Sequence, residues 1–156
     1  AGTDTYRIRE ATVDDIETLT RHRLAMFAEM GIACDGEAVA PSFRRWAARH
    51  MPDGDFRGWL CETSGVVVAG CAVSLIQWPP GPTALEGDRV AFVYNVFVER
   101  PHRHRGLARR LMDTIHGWCR DHGVPAVALN ASDAARPLYE SQGYRAAALP
   151  MMWKIL

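Results

Sequence analysis

The order of patterns along these 156 residues predicts an α/β chain, a mixed sheet of the α+β kind with helices on its faces. Three observations carry that prediction. Short apolar runs of strand character alternate with stretches of helical periodicity. The run Arg89–Val98 (R-V-A-F-V-Y-N-V-F-V) is apolar at nearly every position, which suits a central strand covered on both faces rather than an edge. After it the chain breaks into a short Arg/Gly loop and resumes as an amphipathic helix. There Leu107, Ala108, Leu111, Met112, Ile115, Trp118 and Cys119 recur at helical spacing, with Arg109, Arg110, Asp113 and Arg120 on the other face.

Residues 6–9 make a short first strand. Thr12, with Asp15 three residues on, is a capping-box start for a helix whose apolar side is Ile16, Leu19, Leu24, Phe27 and Met30, and Gly31 closes it. A second helix is expected near Pro41, a residue favoured in a first turn, turning Phe43, Trp46 and Ala47 inward. Residues 58–63 and 66–78 flank the hairpin signal Ser64-Gly65, and Pro79-Pro80-Gly81-Pro82 separates them from the central strand. Gly123 stops the amphipathic helix. Residues 124–131 read as a further strand. Pro137 demands an irregular first turn in the next helix, or a helix that starts only there. Residues 144–148 and 151–156 read as a final strand pair joined at Pro150.

A chain of 156 residues suits one domain, 1–156, that buries roughly two-thirds of its unfolded surface. Lys plus Arg and Asp plus Glu both number 18, so no global field favours nucleic acid or a membrane. Cys34, Cys61, Cys71 and Cys119 lack metal-ligand spacing and no secretory signal precedes them. No run approaches the ~18 apolar residues of a membrane span. A reduced, cytoplasmic protein without a metal is expected.

The charge is concentrated instead at the loop-to-helix junction V-E-R-P-H-R-H-R-G-L-A-R-R-L-M, from Val98 to Met112, which is built to hold phosphate. Gly106 and Ala108 let the backbone come close to a ligand. The helix start presents N–H groups that no carbonyl of the chain satisfies, and its dipole attracts an anion. Arg103 and Arg105 add charge-assisted hydrogen bonds. The bland alternative for these arginines is a solvated basic face.

The run Arg103-His104-Arg105-Gly106-Leu107-Ala108 resembles the Arg/Gln-x-x-Gly-x-Gly/Ala signature of the GNAT acyltransferase superfamily, which cradles the pyrophosphate of acetyl-coenzyme A. Downstream, L-N-A-S-D-A-A-R-P-L-Y-E-S-Q-G-Y, from Leu129 to Tyr144, resembles the family's second signature, a strand and then a helix ending in Tyr-x-x-x-Gly-aromatic. Their order and separation agree with the family, and the resemblance covers nearly the whole chain. It implies a GNAT fold, mostly antiparallel and splayed between the fourth and fifth strands, with acetyl-coenzyme A as co-substrate. The implied reaction is direct attack by an amine in a ternary complex.

By the same resemblance, backbone groups of Phe97 and Val98 hydrogen-bond the pantetheine arm as though it were another strand. The Val98 amide then donates to the thioester oxygen. Arg103, His104, Arg105, Gly106, Leu107 and Ala108 form the diphosphate cradle, with no proton-transfer role for His102 or His104. Arg100, Arg109 and Arg110 are surface charge or contacts to the 3′-phosphate. Asn130 and Ser132 contact the pantetheine or the helix start, and Ser132 also suits an N-cap. Tyr139 is the candidate general acid for the leaving thiolate. The plainer alternatives are a core tyrosine whose hydroxyl finds a backbone partner and an asparagine that caps a strand end.

Tyr94 and Asn95 stand on the central strand where some relatives carry a Glu, so the ammonium proton is expected to leave through water, past Glu29, Asp35 or Glu62. Fold analogy places Arg23, Met26, Phe27, Met30, Trp78, Tyr94, Asn95 and Met151 around the acceptor cleft, although each serves as readily in a core. Aromatic and thioether side chains suit a small, partly apolar amine, and Arg23 a carboxylate on it. The expected function is therefore acetylation of a small-molecule primary amine. Protein N-terminal or lysine acetylation and a non-catalytic acyl-coenzyme A sensor are the alternatives. Nucleic-acid binding by residues 100–110 is disfavoured by the balanced charge and the lack of interleaved aromatics. A homodimer joined through the last strands is an expectation from the family alone.

Overall fold

Polar caps set the helix boundaries in the computed structural model, which describes residues 5–82 and 84–156. The Thr12 backbone N–H donates to Asp15 Oδ2 at 2.8 Å, closing the expected capping box ahead of α1 (Ile16–Glu29). Helix α2 (Gly36–Asp53) begins before Pro41, because Asp35 Oδ1 accepts the Glu37 and Ala38 amides and nucleates the first turn there. Gly54, at φ +80°, closes it in the left-handed conformation. Phe43 and Ala47 point inward as expected. Trp46 stays 39% exposed, its ring packed against Phe43 and Phe56 instead of entering the core.

Strands β1 (Arg7–Glu10), β2 (Phe56–Thr63), β3 (Val66–Gln77), β4 (Arg89–Val98) and β5 (Val127–Ala128) form one sheet in that order. Its first three pairings are antiparallel and the β4–β5 pairing is parallel, the mixed arrangement expected. Helices α3 (Leu107–Asp121) and α4 (Arg136–Ser141) complete the described elements. Strand alternation sends Cys71, Val73 and Val93 into one core with Leu111, Met112, Ile115 and Tyr139. Leu60 and Ala72 enter a second core with Leu19, Phe43 and Ala47 of the first two helices. The sheet is thus covered on both faces.

Two expectations fail at the C-terminal end. The strand at 124–131 shrinks to Val127–Ala128, and residues 144–156 form no strand at all. The cause is the lack of a template: β5 offers only two paired residues before the chain turns away, and Pro150 cannot donate to a ladder. Leu149, Met152, Trp153 and Ile155 are consequently exposed. The proline expectation in α4 holds, since turns at 133–135 precede a helix that begins at Arg136.

A bulge interrupts the central ladder. Gly70 opposes Phe97 and Ala72 opposes Tyr94, so one β3 residue faces two on β4, and Asn95 adopts φ +57°. Beneath it His22 is fully buried with its ring on Phe97, and its Nδ1 has no hydrogen-bond partner among the described residues. Burial, aided by Arg21 and opposed by Glu99, pulls its pKa down to about 4. The unfolded chain therefore takes up this proton first on acidification. Urea unfolding is expected to show stability falling by about 3 kcal/mol between pH 6.5 and 4 on this account, and His22→Leu to flatten that slope.

Candidate functional site

A loop at 99–106 joins the end of β4 to the start of α3, and the sheet opens along the second half of β4. Strand β5 pairs with β4 only at Ala91↔Val127 and Phe92↔Ala128, so beyond Phe92 that edge of β4 has no ladder partner among the described residues. Across the other edge the Glu99 amide donates to the Val68 carbonyl at 2.8 Å. Since successive residues alternate, Phe97 also faces β3 with its backbone, opposite Gly70, whereas the amide and carbonyl of Val98 turn into the opening. Of the two residues expected to meet an extended ligand through the backbone, Val98 thus faces the gap and Phe97 faces the ladder.

The loop after β4 is shaped by two left-handed residues, His104 at φ +62° and Gly106 at φ +76°. Gly106 is the N-cap of α3, and the first helical bond is Arg110 N–H to the Gly106 carbonyl, 3.1 Å. The amides of Gly106, Leu107, Ala108 and Arg109 have no acceptor among the described residues, which makes a concave nest of donors at the positive end of the helix. A Cβ at Gly106 would meet nothing within 4 Å, so the space over the nest is open. Leu107 anchors the turn in the core, and His104 and Arg105 lie exposed beside it.

Arg103 is engaged within the protein. Its Nε donates to the Val98 carbonyl at 2.8 Å, and one terminal nitrogen donates to both Glu29 oxygens, at 2.7 and 2.8 Å. It ties the loop to the strand end and to the last residue of α1. Arg109 donates to Ser141 Oγ at 2.7 Å, Arg110 donates to the Tyr6 carbonyl at 3.3 Å, and Arg100 lies 3.7 Å from Glu29. These three make packing contacts between elements.

Tyr139 lies in α4. Its ring is 7% exposed and sits edge-to-face with Tyr144 in the core that also takes Val96 and Val98. Burial raises its pKa above the ordinary phenol value. Its hydroxyl makes no hydrogen bond among the described residues, and its oxygen is absent from the sealed, unsatisfied polar atoms. That differs from Tyr144, whose hydroxyl pairs with His116 Nε2 at 2.7 Å. Ser132 shapes the turn into α4, its Oγ accepting the Ala135 amide at 3.3 Å. Asn130 is exposed beyond β5.

On the opposite face of the sheet, Arg23 donates to Asn95 Oδ1 at 3.0 Å, with the rings of Phe27, Phe43 and Tyr94 around its guanidinium. Phe43 joins this group although its sequence position reads only as core. Trp78, Met30 and Met151 are 50%, 45% and 58% exposed, Met151 lying in the extended tail. The three carboxylates considered for proton relay are all engaged: Glu29 by Arg103, Glu62 by Arg9 at 2.7 Å, and Asp35 by the α2 amides. Among the described residues no group of three or more His, Cys, Asp or Glu could hold a metal, and no helix is long and apolar enough to cross a membrane.

The model of the Acetyltransferase (GNAT) family matches residues 18–144. A GCN5-related N-acetyltransferase from Ralstonia eutropha JMP134 is 31% identical with a TM-score of 0.90, over 97% of this chain and 99% of that one. A predicted acetyltransferase from Clostridium acetobutylicum, solved with acetyl-CoA, shares the fold at a TM-score of 0.88 and 21% identity, covering 96% of each chain. The mouse protein "Probable N-acetyltransferase family 8 member 5" is 29% identical over 90 residues, 56% of this chain but only 37% of the mouse protein.

The geometry at Gly106 makes a prediction that needs no ligand. With open space around it, Gly106→Ala is expected to cost only the strain of a left-handed non-glycine residue, about 1–2 kcal/mol in urea unfolding.

Proposed function

The chain belongs to the GNAT acetyltransferase family, and from that premise we propose that it transfers the acetyl group of acetyl-coenzyme A to a primary amine of a small molecule. The observation that carries this reading is the parting of β4 from β5 with the Val98 amide turned into the gap. A pantetheine arm, an amide chain in its own right, fits such an edge as an added strand. The amide nest at Gly106 then takes the diphosphate, with Arg105 alongside, while Arg103 holds the loop against β4 and α1.

The acceptor nitrogen, unprotonated, attacks the thioester carbon to give a tetrahedral oxyanion. The Val98 N–H is set to stabilise that oxygen, a fixed dipole that needs no reorganisation. As the C–S bond breaks, the sulfur takes the Tyr139 hydroxyl proton, and the phenolate is reprotonated from water or by the proton the amine sheds. The carboxylates near the cleft are held in ion pairs or a cap, so the ammonium proton leaves to solvent. The hydroxyl of Tyr139, buried in ring and unbonded at its tip, suits a donor that waits for a partner. A small-molecule acceptor is favoured over a lysine-rich segment by a cleft lined with rings and an arginine rather than carboxylates.

Calorimetry with acetyl-coenzyme A and thiol release with an amine panel test the reading; no binding by folded protein overturns it. Gly106→Val is expected to abolish binding while circular dichroism stays native. Tyr139→Phe is expected to lower kcat about a hundredfold with little change in the KM for acetyl-coenzyme A. Because burial raises the Tyr139 pKa, this phenol remains the acid form up to at least about pH 10, and kcat is expected not to fall on its account below that pH.

A further inference from the structure

Most arginines whose contacts are described here meet a carboxylate: Arg9 with Asp15 and Glu62, Arg21 with Glu99, Arg44 with Glu17, Arg57 with Glu10, and Arg103 with Glu29. Arg23 does not. Among the described residues no Asp or Glu lies within ion-pair distance of it, and its one hydrogen bond goes to a neutral amide oxygen, Asn95 Oδ1. The residue is partly buried, its guanidinium carbon 4.9 Å from the ring centre of Phe27, 5.4 Å from Phe43 and 5.9 Å from Tyr94. Partial burial among rings lowers its pKa, with Tyr94 and Cys34 acting weakly in the other direction. A cation so placed costs desolvation that only an incoming anion recovers in full.

The arrangement is held open from beneath. Asn95 is 1% exposed, sits in the β4 bulge at φ +57°, and donates through its Nδ2 to the Leu19 carbonyl of α1 at 3.1 Å. With that amide group fixed at both ends, its oxygen is left to orient Arg23. The strand rises about 3.3 Å per residue, so the backbone of Asn95, which orients Arg23, lies about 10 Å along β4 from the Val98 amide.

Resting on the acetyl-transfer reading above, we propose that Arg23, oriented by Asn95 and walled by Phe27, Phe43 and Tyr94, is the specificity-determining residue for an acceptor that carries a carboxylate beside its primary amine. An amino acid with an apolar side chain is the substrate class. With no second cation acting on Arg23 among the described residues, a monoanionic carboxylate suits it better than a phosphate dianion. In this role Arg23 fixes the acceptor, and the donors on the cofactor side are untouched.

The test compares matched pairs, phenylalanine with phenylalaninamide and leucine with leucinamide, as acceptors for acetyl-coenzyme A in thiol-release kinetics. Wild-type protein is expected to favour each acid in kcat/KM by about tenfold or more, mostly through KM. Arg23→Gln is expected to erase that preference by removing the advantage of the acids in kcat/KM, with the calorimetric affinity for acetyl-coenzyme A retained. Arg23→Lys is expected to restore part of it. Acetylation of both members of each pair without preference in the wild type overturns the inference and leaves the acetyltransferase reading standing. A preference that survives in Arg23→Gln overturns it too. Should Arg23→Gln fail to fold, the wild-type comparison decides alone. Binding of acetyl-coenzyme A with no thiol released by any amine overturns both.

Discussion

A buried amide group ties the middle of the central strand to the first helix. Asn95 occupies a left-handed backbone position that a side chain with local hydrogen-bonding capacity tolerates better than most. Its Nδ2 bonds the α1 backbone and its Oδ1 takes Arg23, so both ends of the group are satisfied without water. The bulge adds a residue to β4 alone, and the ladder beyond it resumes with Val98 turned away from β3. The orientation of the Val98 amide therefore depends on an extra residue placed three positions upstream.

The two faces of the sheet divide the chemistry. On the α3 side, donors of the main chain dominate: the Val98 amide and the nest at Gly106. Main-chain donors cannot rotate away, and in the proposed reaction they are the groups that would hold an extended, phosphorylated carrier whatever its acyl group. On the α1 side, the polar groups are side chains, Arg23 and Asn95 among three rings. Side chains are where acceptor preference can change without disturbing the carrier site. Arg103, one of the two loop arginines that the sequence offers for phosphate, fastens that loop to its neighbours.

What the sequence disclosed was local. The Thr12 capping box, the apolar run of β4, the α3 amphipathic face and the glycine at its start are all written in neighbouring residues, and each appears as read. The late start assigned to α2 failed because a proline signal was weighed above the Asp35 cap just upstream. The terminal strands failed for a different reason: alternation at 144–148 and 151–156 says that a segment is able to pair, but pairing needs an edge of matching length, and β5 supplies two residues. Nor does anything near Arg103 in sequence announce Glu29, which lies 74 positions away. The left-handed turn at Asn95 was likewise invisible, since a bulge is defined by the register of two strands and not by one.

Helix α1 carries Arg23 in its third turn and Glu29 at its last residue, and Glu29 is the one the loop arginine grips. Six helical residues span about 9 Å, so the loop after β4 and the Arg23 group share a single rod. Thermodynamic linkage then applies to that rod. If occupancy of the loop shifts the helix, the free energy by which it alters affinity at Arg23 is returned in equal measure to the loop when Arg23 is filled.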